Sequence, residues 1–180
     1  VPPSRLWPEH ADDLLWHLAE EAWSWASEQT VGFTVRRQAH EVLIHRLDAE
    51  QTTGDTTPLP VDLAADGVAE LVEVMHGGEP PTWARFTPSG LHTTIELTNI
   101  AERSRVATGL FQGTEPKSGK NYDEPHLLRV DDGPADAVVR GAAGDIDAWL
   151  WRRRNEAGIV IDGDQTAYAE WRAAVDQPVD

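Results

Sequence analysis

Through the first 78 residues hydrophobic positions recur every three or four residues; farther on they recur every second residue. In "HADDLLWHLAEEAWSWA", Leu14, Leu18, Ala22 and Trp25 share one face at helical spacing, which predicts a first helix. A second helix is expected from about Phe33 to Gln51, ended by Gly54, Pro58 and Pro60 in "TTGDTTPLP". The third, "VDLAADGVAELVEVMHGG", gathers Leu63, Gly67, Leu71 and Val74 on one side and stops at Gly77 and Gly78. Asp62 and Asp66 stand near its start, where the helix dipole favours carboxylates.

Behind the linker "EPPTW" the pattern becomes strand-like. "LHTTIELTNI" (Leu91 to Ile100) and "SRVATGLF" alternate and are rich in β-branched residues. "GTEPKSGKNYDEP" reads as a loop, "HLLRV" and "ADAVVRG" as strands, and "AAGDIDAWLWRRR" as a helix. A short strand "GIVID" and a closing helix "DQTAYAEWRAAV", capped by Asp162 or Asp164, complete the chain. The expectation is an α+β protein, with a helical-bundle portion over residues 1–78 and a small α+β domain over 85–180.

Composition narrows the class. An apolar fraction of 40% with eight tryptophans indicates a folded chain rather than a disordered one. No apolar run approaches the roughly 20 residues of a membrane helix, and "VPPSRLWPEH" lacks the layout of a secretory signal, so a cytoplasmic protein is expected. A formal charge of −16 argues against nucleic acid or an anionic membrane as partner. The absence of cysteine removes disulfides, thiolate ligands and a cysteine nucleophile, so any thiol chemistry needs a thiol from outside.

The segment that carries chemistry is "RRQAHEVLIHRLDAE", Arg36 to Glu50. On a helix, Arg37, Glu41, His45 and Asp48 fall at about 0°, 40°, 80° and 20°, whereas His40 falls at about 300°. Glu41 and His45, four apart, can reach one ion, and an imidazole with a carboxylate suits zinc or a similar divalent metal. Asp48 can orient His45, and Arg37 can hold Glu41 or an anionic substrate. The histidines are five apart, not the four of the zinc-protease motif, so His40 is expected to pack elsewhere. The same pairs also occur on ordinary solvated helices, and two protein ligands fall short of the three or four usual for zinc.

"VGFTVRRQAHEVLIHRLDAE" followed by "AADGVAELVE" resembles the mycothiol-dependent maleylpyruvate isomerase family of actinobacteria, within the DinB-like superfamily. "ADAVVRGAAGDIDAWLWRRR" and "VIDGDQTAYAEW" resemble the sterol-carrier-like C-terminal domain of that family. The resemblance implies a helical bundle holding a divalent metal, usually zinc, through an early histidine plus the motif's glutamate and histidine. Glu41 and His45 match the latter two. His17, in "VPPSRLWPEHADDLLWHLAE", matches the early one. The spacing departs from the family, which places further helices between these ligands, whereas His17 and Glu41 are only 24 apart. Either the chain has an internal deletion that keeps His17, or Leu6 to Trp25 is a later helix and the third ligand precedes Val1. Half a bundle also leaves an apolar side uncovered, so dimerisation as a homodimer, or instability, is expected.

The implied reaction is the cis–trans isomerisation of maleylpyruvate, a small anionic substrate, with mycothiol as cofactor. A metal-held thiolate adds to the activated double bond, the bond rotates, and elimination returns the thiol. Arg153 matches the arginine that ends the corresponding family helix and is the candidate clamp for a substrate carboxylate, with Arg140 as second candidate. Transfer of a thiol in another reaction is the near alternative. A binder of lipids or small molecules with a degenerate metal site is the non-enzymatic one.

Overall fold

The computed structural model describes residues 17–24 and 26–178. It divides into two compact units, one ending at Thr56 and one beginning at Thr57.

In the first unit His17 and Leu18 are helical, and the chain then turns. The expected first helix does not continue to Ala26. Instead Glu21 pairs with Thr30 across an antiparallel bridge, Ala22 N–H bonds Gln29 O at 3.1 Å, and Val31 N–H bonds Glu20 O at 2.9 Å. The Ser24 hydroxyl donates to Glu28 O at 2.6 Å and holds the loop closed. Of the stripe that suggested a helix, Leu14 and Trp25 lie outside the described residues.

Helix α1, Val31–Thr53, is longer than its apolar pattern indicated because both ends are capped. Thr30 accepts from Phe33 N–H at 3.0 Å, and Gly54, at φ 82°, returns its N–H to Glu50 O at 3.1 Å. Phe33, His40, Leu43, Ile44 and Leu47 form the buried face. Val35 and Val42 are exposed on the opposite side.

The second unit opens with α2, Val61–Glu70, which runs into a π turn, Leu71–Met75, closed by His76 N–H on Leu71 O. Five strands follow: β1 Ala84–Leu97, β2 Glu102–Thr114, β3 Asn121–Arg129, β4 Ala137–Gly141 and β5 Val160–Gly163. Their order in the sheet is β3-β2-β1-β4-β5, antiparallel except for the parallel pair β1 and β4. Helix α3, Ala143–Leu150, links β4 to β5, and α4, Gln165–Val175, follows β5. Asp164 caps α4, accepting from Thr166 N–H at 2.7 Å and Ala167 N–H at 3.0 Å. Those donors hold its carboxyl below the usual carboxylate range.

The core of this unit is built from Val68, Leu71, Val72, Ile95, Val106, Leu127, Val139, Ile146 and Trp171, each at most 3% exposed. Burial of such side chains stabilises by roughly 1.5–3 kcal/mol apiece. Trp149 stacks on Trp171 with centroids 5.8 Å apart, and the Arg172 guanidinium lies 4.4 Å over the Trp149 ring.

The domain boundary therefore moves. It was expected between 78 and 85, but α2 belongs with the sheet. Gly67 of α2 meets α3 so closely that an added Cβ would lie 2.9 Å from Asp147 Oδ1. Two other expectations also change. The helix expected to run through "WRRR" ends at Leu150, and β3 takes in Asn121 to Pro125, which read as loop. The model is thus α+β with a mixed five-stranded sheet. Among the described residues the helical part of the first unit is α1 together with His17 and Leu18.

No helix of the described residues is long and apolar enough to cross a membrane.

Candidate functional site

The polar face of α1 lines an open cleft of about 810 Å³, whose walls include Trp23, Phe33, Arg37, Glu41, Val42 and His45. Within it Glu41 is held from two sides. Arg37 pairs with its Oε1, and His45 Nε2 lies 3.3 Å from its Oε2. His45 Nδ1 is 3.3 Å from Asp48 Oδ2. Successive turns of one helix thus build the series Arg37–Glu41–His45–Asp48, as the i,i+4 and i,i+3 spacings require.

This arrangement fits a cation. His45 stands between two carboxylates, so whichever ring nitrogen carries the proton, the other turns its lone pair toward an acid. Zinc bound tetrahedrally at 2.0–2.1 Å would set its nitrogen and oxygen donors roughly 3.3 Å apart. The donor types suit a divalent metal, but the donor number does not complete one. Among the described residues no three His, Asp or Glu side chains group as a metal site. His17, the expected third donor, bonds Glu20 Oε1 through Nδ1 at 2.9 Å. His40 is 1% exposed, buried off this face of the helix, in keeping with its angle.

In the second unit Arg140 is engaged, with Nε 2.5 Å from Glu96 Oε2 and Nη1 on Asp162. Arg153 occupies a turn rather than the last turn of a helix. Its backbone N–H bonds Ala148 O at 2.7 Å and its Nη1 donates to Trp151 O at 2.6 Å. It borders a cleft of about 150 Å³ with His76, Trp151, Arg152 and Gln177. His76 and Arg152 had no sequence signal. They reach the cleft from a π turn and from a turn after α3, neither of which the hydrophobic pattern marks.

His76 is buried, and that burial, reinforced by the Arg152 charge, pushes its pKa down to about 4. His126 lies in an adjoining cleft with His76 and bonds Gly78 O at 2.9 Å. Its pKa is lowered by burial, against the raising effect of that bond.

No curated protein matches the chain. The family model of the MDMPI C-terminal domain matches residues 62–170. That range runs from the start of α2 into α4 and does not include α1. It covers more than half of the chain, which therefore belongs to the MDMPI C-terminal domain family.

Proposed function

We propose that the protein is a metal- and mycothiol-dependent isomerase or thiol transferase acting on a small anionic substrate of the maleylpyruvate type. The observation that supports this most is the Glu41–His45–Asp48 series on α1, in a chain whose second unit belongs to the MDMPI C-terminal domain family.

Glu41 Oε2 and His45 Nε2 are the two described donors for a divalent ion, zinc first. Asp48 holds the His45 Nδ1 proton, which keeps the lone pair on Nε2. Arg37 occupies Glu41 Oε1 and so turns the other oxygen toward His45. When bound, the metal and mycothiol supply a thiolate at neutral pH that adds reversibly to an activated double bond and frees it to rotate. Arg153 offers a planar guanidinium to a substrate carboxylate. Arg140, the second candidate, is held by Glu96 and Asp162.

The test is turnover. Full-length protein with zinc and mycothiol should isomerise maleylpyruvate, with His45→Ala and Arg153→Gln each lowering kcat/KM at least a hundredfold. No turnover with metal and thiol both present would remove maleylpyruvate as substrate. Turnover unchanged in both variants would remove these residues.

A second reading, a non-enzymatic binder of small molecules or lipids, draws support from one further cleft. It spans about 340 Å³, with Pro88, Leu110, Pro125 and Ala173 among its lining residues. Uptake of a fluorescent fatty acid by metal-free protein, competed by other lipids, would favour that reading over catalysis.

A further inference from the structure

We propose that the cleft bordered by His76, Trp151, Arg152, Arg153 and Gln177 binds a small carboxylate bearing a hydroxyl on the adjacent carbon. Arg152 would take the carboxylate and the His76 ring the hydroxyl. The site requires neither metal nor thiol. It rests on the reading above only in that Arg153 borders the same cleft.

The first observation is Arg152 itself. Among the described residues it is the one non-glycine with positive φ, at 62°. A side chain held in that region costs stability, and such residues concentrate at functional sites. Its guanidinium holds no carboxylate side chain, unlike most of the described arginines, a feature shared by Arg85 on an amide and Arg105 on backbone carbonyls. Arg37, Arg103, Arg129, Arg140, Arg154 and Arg172 each hold a carboxylate side chain. Arg152 donates instead to a backbone carbonyl, that of Asp176. This leaves most of a five-donor fork for an anion, and a planar fork matches a carboxylate in two parallel bonds.

The second observation is His76. It is 7% exposed, yet among the described residues its ring makes no hydrogen bond, while its backbone is fully used. His76 N–H closes the π turn on Leu71 O, and its carbonyl accepts from Leu127 N–H at 3.2 Å. The backbone therefore fixes the ring in place at the junction of two clefts. An uncharged imidazole keeps one donor and one acceptor, and at His76 both remain for a ligand in the cleft. Single-turn π segments recur at functional sites because they re-aim one side chain, and here that side chain is His76.

The two groups select the ligand together. Arg152 demands negative charge. A neutral ring beside it adds none and supplies a lone pair for an O–H donor. Gln177 closes the side of the cleft, tied by its Nε2 to Pro125 O at 2.5 Å and Ala174 O at 3.3 Å. The resulting 150 Å³ admits a short acid but not an acyl chain.

The experiment titrates the full-length, metal-free chain with L-lactate, propionate and lactamide. It follows the His76 ring by ¹H–¹⁵N correlation and binding by calorimetry. The expected result is saturable lactate binding that shifts the His76 ring signals, with propionate at least fivefold weaker and lactamide silent. Arg152→Gln should weaken lactate at least tenfold. Arg152→Gly, which relieves the backbone, should do the same without lowering Tm. His76→Asn should bring lactate and propionate within twofold of each other. Non-saturable lactate response, equal lactate and propionate affinities in the unaltered chain, or undiminished binding by either Arg152 variant would overturn the proposal. A failure of maleylpyruvate turnover alone would bear on the α1 reading and not on this one.

Discussion

His45 presents both ring nitrogens to carboxylates, Nε2 to Glu41 and Nδ1 to Asp48, so the role of each acid can be separated by substitution. Asp48→Asn should leave the donor pair intact but no longer hold the ring in one tautomer. Zinc affinity should then fall about 10–100-fold, less than in Glu41→Ala. His76 makes a different prediction, about pH. Its folded pKa of about 4 lies below the ordinary 6.5. Between those values the unfolded chain takes up a proton that the folded chain refuses. The stabilisation from the neutral ring is therefore present above pH 6.5 and is lost as pH falls toward 4, on the order of 3 kcal/mol. Arg152 reinforces this depression, while Asp176 opposes it. His76→Gln should flatten the difference in Tm between pH 7 and pH 4.5, and an unchanged slope would contradict the assignment. At this scale the α1 residues were legible because a regular helix converts spacing into angle, which kept Glu41, His45 and Asp48 together and set His40 apart. His76 and Arg152 were not legible. Their positions depend on a π turn and a left-handed residue, and the surrounding chain imposes both.

Elements were read well where one period ran uninterrupted. α1 and α2 were expected within a few residues of where they lie, and the extra length of α1 comes from Thr30 and Gly54, local caps rather than apolar pattern. Thr30→Ala should cost about 1 kcal/mol, measurable by denaturant unfolding. The first helix misread for a related reason. Its apolar stripe continued past Leu18, but the bridge between Glu21 and Thr30 satisfies the backbone there instead. The first half of β3, Asn121 to Pro125, was missed because it is polar and paired by polar contacts. Asn121 Oδ1 accepts from Thr114 Oγ1 at 2.6 Å, and Asp123 Oδ1 accepts from Gln112 Nε2 at 2.9 Å. Alternation of apolar residues cannot report such a strand. Gly163, the last residue of β5, shows the opposite case, a position where composition is decisive. Its φ is 96° and an added Cβ would meet Asp136 O at 2.2 Å. Gly163→Ala should destabilise by on the order of 3 kcal/mol.

At the scale of the whole molecule, the change in hydrophobic period near residue 80 marked a change in element type and not a boundary between folding units. The boundary lies at Thr56–Thr57, inside the Pro- and Thr-rich break after α1. A chain beginning at Thr57 should therefore unfold in one cooperative transition. One beginning at Gly78 should not fold, having lost Val68, Leu71 and Val72 from its core. The family match over residues 62–170 agrees with that boundary and leaves α1 outside it. The proposed activity consequently depends on the metal chemistry of α1. Zinc content after equilibrium dialysis tests that dependence most directly. The account predicts zinc retained by the unaltered full-length chain, with affinity reduced at least tenfold in both Glu41→Ala and His45→Ala while the fold persists by circular dichroism. Zinc retention unchanged in both variants, or no uptake by the unaltered chain, would contradict it.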